Sequence, residues 1–222
     1  MGETISEAIA ADHQLFDDYY ENIKSATDDG EKVRWRNQLT WTIARHAISE
    51  ELTLYPAMEK HLGREGVLLA KTDKEQHQGV SLRRERGIPQ RHPIIDDLSQ
   101  VKDYLYQIQD MTPTDPKFWP LLDTLMDVLH HHIEHEKNED MPRLEGLLPR
   151  EESEAIARSF QRTKNIVPTR SHPSAPTEYY LENLAGLLTA PIDKLRDLVR
   201  DFPSERDQRL AGERAKEREQ KL

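Results

Sequence analysis

The chain has 222 residues and carries a formal net charge of −10, from 31 lysine and arginine residues against 41 aspartate and glutamate residues. This acidic balance disfavours nucleic acid and anionic membranes as partners, and the absence of cysteine excludes disulfides, thiolate nucleophiles and iron–sulfur clusters. The sequence has neither an apolar run long enough to span a bilayer nor a signal-peptide pattern at its start, so we expect a cytoplasmic protein.

Apolar residues recur at helical spacing through most of the first 148 residues, and no stretch shows the alternation typical of a strand. The predicted helices cover residues 4–27, 31–61, 64–110 with an interruption at 87–93, and 117–140. Thr4 followed by Glu7 fits a capping box at the start of the first helix. We therefore expect an all-α protein in which residues 1–148 form an up-down-up-down four-helix bundle.

The residues after 148 predict a helical extension followed by a charged tail. Helical patterns occur over 150–164 and 178–201, and a linker that contains several prolines separates them. We expect residues 149–202 to add helices to the bundle. Residues 203–222, mostly glutamate, arginine and lysine, are expected to be disordered.

Each helix of the predicted bundle carries one histidine within its apolar stripe. In chain order these are His13, His46, His77 and His132. Two of them are followed four residues later by a glutamate, Glu50 in the second helix and Glu136 in the fourth. Residues four apart project from the same face of a helix, so each of these pairs faces the same neighbour.

The fourth helix also contains a second pair of residues, both histidines, that could face the bundle core. His131 and His135 have the same spacing as His132 and Glu136, but they continue the polar side of the helix. We therefore favour His132 and Glu136 as the buried pair and expect His130, His131 and His135 at the surface.

The positions of the turns place the four stripe histidines at one level of the bundle. The predicted turns lie midway between His13 and His46 and between His46 and His77, and His132 is equally far from the start of its helix. Each histidine is thus about 22 Å from a turn, taking 1.5 Å per residue. The connection after His77 is roughly twenty residues longer than this geometry needs, so we interpret residues 80–100 as an insertion.

The chemistry of this buried set favours a metal centre. Burying imidazoles and carboxylates without partners would cost several kcal/mol for each group, whereas both are ligands for transition-metal ions. Four imidazoles and two facing carboxylates suit a dinuclear site in which Glu50 and Glu136 bridge the ions. On these residue types alone, iron, manganese and zinc all stay open.

In these motifs the chain resembles the hemerythrin-like, or HHE cation-binding, family over roughly residues 4–148. The resemblance depends on the stretches at 12–16, 45–56, 76–77 and 132–142. It implies a four-helix bundle with a carboxylate-bridged, non-haem centre of two irons that binds oxygen or responds to nitric oxide. The residues that match the family's ligand positions are His13, His46, Glu50, His77, His132 and Glu136.

Two departures from the oxygen-carrying animal members of that family disfavour reversible oxygen storage. Asp73 stands where those members have a second histidine in the third helix, and the last carboxylate is one residue closer to His132. We expect a protein that handles or senses oxygen, nitric oxide or iron, with homo-oligomer formation left open. The alternative is an enzyme, a di-iron oxidase or oxygenase that acts on a small organic substrate.

Overall fold

The computed structural model of the chain describes residues 2–70, 101–166 and 201–219. The regular elements in these residues are all helical, which confirms the predicted all-α class. They are α1 (Ile5–Ser25), α2 (Asp29–Leu62), α3 (Val101–Ile108), α4 (Phe118–His135), α5 (Met141–Glu145), α6 (Arg150–Thr163) and α7 (Glu205–Glu219). Residues 64–70 are also helical, and a π-helical turn, Glu136–Asp140, joins α4 to α5. Within these ranges, none of the helices has the length and apolar character needed to cross a bilayer.

Side-chain caps start the first two helices. The Thr4 hydroxyl accepts a hydrogen bond from the Glu7 amide and the Glu7 carboxylate accepts one from the Thr4 amide, which confirms the predicted capping box. At the start of α2, the Asp28 carboxylate accepts a hydrogen bond of 2.8 Å from the Glu31 amide. The short connection between the two helices makes them antiparallel neighbours.

The bundle core consists of two apolar clusters, one on each side of a polar layer. One cluster contains Phe16 of α1, Ile43 of α2 and Leu129 of α4, together with residues nearer the α1–α2 turn. The other contains Ile9 and Leu54 and lies at the opposite end of the bundle. The predicted stripes are therefore the buried faces, and the predicted helical bundle with additional C-terminal helices is confirmed.

Helix α6 packs against both α1 and α2, and its Phe160 is fully buried in the second apolar cluster. A serine of the same helix, Ser153, accepts a hydrogen bond of 3.0 Å from the Ile5 amide, so α6 also satisfies a backbone donor at the start of α1.

The charged tail differs from the sequence prediction, because Glu205–Glu219 form α7 instead of a disordered segment. Arg34 of α2 donates two hydrogen bonds to Asp207, at 2.7 and 2.8 Å, and Arg214 contacts the buried Glu31. Charges that predict disorder in isolation are thus paired with complementary charges of α2. The predicted insertion at 80–100 and the linker at 167–177 lie outside the described residues, as does nearly all of the predicted helix at 178–201.

Candidate metal centre

Helices α1, α2 and α4 and the start of the π-helical turn place five ionisable side chains in the polar layer between the two apolar clusters. All five are nearly inaccessible to solvent: His13, His46, Glu50, His132 and Glu136 are 7%, 2%, 0%, 2% and 1% exposed. On each helix they continue the apolar stripe, since Phe16, Ile43 and Leu129 are buried on one side of the layer. The same periodicity that builds the core therefore turns these side chains inward.

The donor atoms of these side chains converge. The Nε2 atoms of His13 and His46 lie 3.2 Å apart, and His46 Nε2 lies 2.8 Å from Glu50 Oε1. From the other side, Glu136 Oε2 lies 3.4 Å from His13 Nε2 and 3.9 Å from His132 Nε2. Nitrogens and carboxylate oxygens from three segments thus face one small volume.

Glu50 is shared by two groups of candidate ligands. In the described residues, His13, His46 and Glu50 form one group, and Glu50, His132 and Glu136 form the other. Within each group the donor atoms all lie within 4.8 Å of one another. A carboxylate with two oxygens is suited to contribute to two neighbouring cation positions.

The structure brings together five of the six residues that the sequence predicts as metal ligands. The sixth, His77, and the neighbouring Asp73 lie outside the described residues, so their participation stays a prediction. The alternative pair behaves differently, since His131 is exposed and His135 is only half-buried. Of the two helical registers, the structure therefore buries the one with His132 and Glu136.

Electrostatics distinguish His46 from the other two histidines. Burial alone would lower the pKa of His46, but the Glu50 carboxylate and hydrogen bonds with Asp12 and Glu50 raise it to about 9. A buried imidazole between two carboxylates is stabilised as a cation when no metal ion is present. Binding of a metal ion at Nε2 would replace that proton's positive charge.

His13 and His132 are held in the neutral form. Burial, together with the positive charge of His46, lowers the pKa of His13 well below its usual range. Burial also lowers the pKa of His132 to about 4, against the opposing effect of Glu50. Neutral imidazole is the form that binds a metal ion, so both side chains are ready to act as ligands.

Two residues beside this layer lie outside the set of ligands that the sequence predicts. Asp12 is 4% exposed, and its carboxylate lies 3.1 Å from His46 Nδ1. Lys164, at the C-terminal end of α6, donates to both oxygens of Asp12. Burial opposes ionisation of Asp12, but hydrogen bonds from His46 and Lys164 lower its pKa overall. Asp12 stood directly before a stripe histidine in the sequence, whereas no local pattern indicated Lys164.

The π-helical turn begins at Glu136, the last candidate ligand. In this turn the Met141 amide donates to the carbonyl of Glu136, five residues earlier. In an α-helix the amide would donate to the carbonyl of the residue four positions earlier. Single π-helical turns of this kind within a helix are frequently found at functional sites. The turn also buries Asp140 beside His135, at 3.2 Å from its Nδ1, and that burial raises the pKa of Asp140.

The donor set fits a transition-metal centre. Imidazole nitrogens and carboxylate oxygens in a buried layer are ligands for iron, manganese and zinc, and they are too rich in nitrogen for calcium or magnesium. A cation at this position would also neutralise the buried carboxylates of Glu50 and Glu136, which water cannot reach.

Comparison with known proteins gives an independent result. The family model described as the hemerythrin HHE cation-binding domain matches residues 4–144. An uncharacterized hemerythrin-like protein of Schizosaccharomyces pombe is 44% identical over 199 residues, which cover 90% of this chain and 88% of that protein. A DNA nickase of Nostoc sp. is 22% identical over 166 residues, which cover 75% of this chain and 40% of that protein. No solved structure matches the chain significantly.

Proposed function

The chain belongs to the hemerythrin HHE cation-binding family, and we propose that its buried layer binds two iron ions and serves to handle or sense oxygen, nitric oxide or iron. The proposed ligands are the five clustered side chains and His77. Glu50 and Glu136 would bridge the two ions. Non-haem iron with an open coordination position binds small diatomic molecules and exchanges electrons with them.

The observation that supports two ions is the sharing of Glu50 between the two buried groups. Three imidazoles and two carboxylates offer up to seven donor atoms, and His77 would add one more. Two six-coordinate ions need roughly twelve. This difference leaves positions for a bridging oxygen species and for a small ligand.

The protein's own residues would control access and charge at these ions. The apolar clusters on both sides of the layer exclude water, which strengthens the electrostatic attraction between carboxylates and cations. His13 and His132 are neutral before an ion arrives, so they need no deprotonation. The centre would therefore be a dry, preorganised site that admits only small molecules.

Iron loading tests the proposal. The chain is incubated anaerobically with ferrous iron and desalted, and iron is measured per chain; we expect two, and fewer than one would contradict the proposal. His132→Asn should lower the iron content. His131→Asn is the matched control, because this neighbouring histidine is exposed and should leave the content unchanged.

Optical spectra of the loaded chain then test the ligand. We expect absorption changes on addition of nitric oxide or oxygen, and unchanged spectra with both gases would contradict gas handling. Oxygen consumption that depends on an organic substrate would instead indicate the oxidase or oxygenase alternative. Parallel loading with manganese and zinc tests the choice of metal. The cytoplasmic location stays a prediction of the sequence, and homo-oligomer formation stays open.

A further inference from the structure

His46 uses its two ring nitrogens in different directions. Its Nε2 faces Glu50 and His13, while its Nδ1 lies 3.1 Å from the Asp12 carboxylate. When Nδ1–H donates to that carboxylate, the lone pair of a neutral ring is left at Nε2, where it faces the candidate ions. The orientation of Asp12 thus determines which nitrogen of His46 can bind a metal ion.

Asp12 is itself held by a lysine that lies 152 positions further along the chain. The Lys164 ammonium lies 2.7 and 2.8 Å from the two oxygens of Asp12, and its side chain is 13% exposed. Charge-assisted hydrogen bonds to both oxygens restrict rotation of the carboxylate. Lys164 is not one of the clustered donors, so it constrains His46 through Asp12.

The position of Lys164 is in turn defined by its own surroundings. Arg45 of α2 donates to the Lys164 carbonyl oxygen, which attaches the end of α6 to the second bundle helix. One turn earlier in α6, Phe160 packs edge-on against the His46 ring, with centroids 5.6 Å apart and an interplanar angle of 88°. The Lys164 ammonium lies 4.8 Å from the centroid of that phenylalanine ring. Helix α6 thus covers the outer side of His46 with one apolar and one charged residue.

Both residues lie beyond residue 144, where the match to the family domain ends. We propose that α6 completes the metal centre of this chain, with Lys164 as a positioning residue that orients Asp12 and, through it, the metal-binding nitrogen of His46. Phe160 excludes water from the same ring. This inference rests on the proposed metal binding, and the experiment below separates the two.

Metal affinity of the full chain tests the role of Lys164. Zinc is used as a redox-inactive probe, and its dissociation constant is measured by competition with a chromophoric chelator. Lys164→Met keeps the aliphatic stem but removes the charge, so we expect about 10–100-fold weaker binding, the usual effect of losing a group that orients a metal ligand. Lys164→Arg retains charged donors for both oxygens of the Asp12 carboxylate, so it should bind zinc more tightly than Lys164→Met does.

Lys60 provides a matched control. It also pairs with a carboxylate across the α2–α6 interface, at 2.6 Å from Glu152, but it is largely exposed and lies away from His46. Lys60→Met should leave the zinc affinity unchanged. Thermal unfolding of each metal-free variant shows whether a loss of zinc affinity reflects a loss of fold. If Lys164 had only a structural role, Lys164→Met would lower the unfolding midpoint without weakening zinc binding.

Asp12→Asn keeps the proposal testable if Lys164→Met does not fold. Because Lys164 acts through Asp12, the amide variant should lose as much affinity as Lys164→Met, and the double variant should lose no more than the worse single one. Unchanged affinity in Lys164→Met, or additive losses in the double variant, would overturn the inference while leaving metal binding intact. A wild-type chain that binds no zinc and no iron would overturn both.

Discussion

Glu50 belongs to both groups of candidate ligands, whereas each of the other four residues belongs to one. Glu50→Gln keeps the shape of the side chain but removes the negative charge that the two proposed ions share. His132→Asn removes a ligand from one group and leaves His13, His46 and Glu50 in place. We therefore expect the glutamine variant to lose both ions and the His132 variant to lose one.

The size of the effect follows from the number of sites. An ion held at a free concentration a thousandfold above its dissociation constant stabilises the fold by about 4.1 kcal/mol, so two ions that each bind at this ratio contribute about 8 kcal/mol. For a chain of 222 residues, each kcal/mol raises the midpoint of unfolding by about 2–4 °C. Metal loading should thus raise the midpoint by about 16–32 °C in the wild type, by about half as much in His132→Asn, and hardly at all in Glu50→Gln.

Calorimetric unfolding with and without metal, together with the metal content per chain, measures these differences. His131→Asn serves as the control on the exposed side of the same helix and should respond as the wild type does. A Glu50→Gln chain that still gains two ions and the full rise in midpoint would refute the reasoning from the shared carboxylate. Equal losses in Glu50→Gln and His132→Asn would refute the assignment of two separable groups.

Three further predictions concern stability. Thr4→Ala removes the cap of α1 and should cost about 1 kcal/mol of unfolding free energy in urea titrations; an unchanged value would contradict the role of the cap. Phe118→Ala, at a fully buried position, should cost about 3–5 kcal/mol in the same assay, and a loss below 1 kcal/mol would indicate a loosely packed site. Hydrogen bonds from Arg34 hold the pKa of Asp207 below its usual range, so this carboxylate stabilises the fold above about pH 4 and ceases to do so as the pH falls through its folded-state pKa. The wild type should therefore have a higher unfolding free energy than Asp207→Asn at pH 7, and the difference between them should shrink on acidification. A difference that grows as the pH falls would contradict the predicted direction of the pKa shift.

The buried faces of the bundle were predictable because helical periodicity and core burial are the same physical constraint. In α2 the predicted ligands His46 and Glu50 are buried together with Leu39 and Leu54, the apolar residues on either side of them along the helix. The level of the histidines followed from the rise of a helix and the positions of the turns, since antiparallel neighbours bring together residues equally far from a turn. For His13 and His46 this expectation matches the 3.2 Å between their Nε2 atoms.

Long-range polar contacts could not be predicted in this way. Lys164 contacts Asp12 across 152 positions of sequence, and no pattern near residue 164 indicates a buried partner. The charged composition of the tail predicts disorder, yet Asp207 and Arg214 pair with α2 when the chain folds. Pairing of charges between distant segments depends on the tertiary fold, which local composition does not encode.

A Mössbauer spectrum of the chain loaded with iron-57 distinguishes one shared dinuclear centre from separate or absent ions. Two ferric ions bridged by Glu50 and Glu136 are expected to couple, so the air-oxidised chain should contain two irons and give quadrupole doublets without magnetic splitting at low temperature in a weak field. A magnetically split spectrum of isolated high-spin ferric iron, or less than one iron per chain, would contradict a dinuclear centre in the bundle.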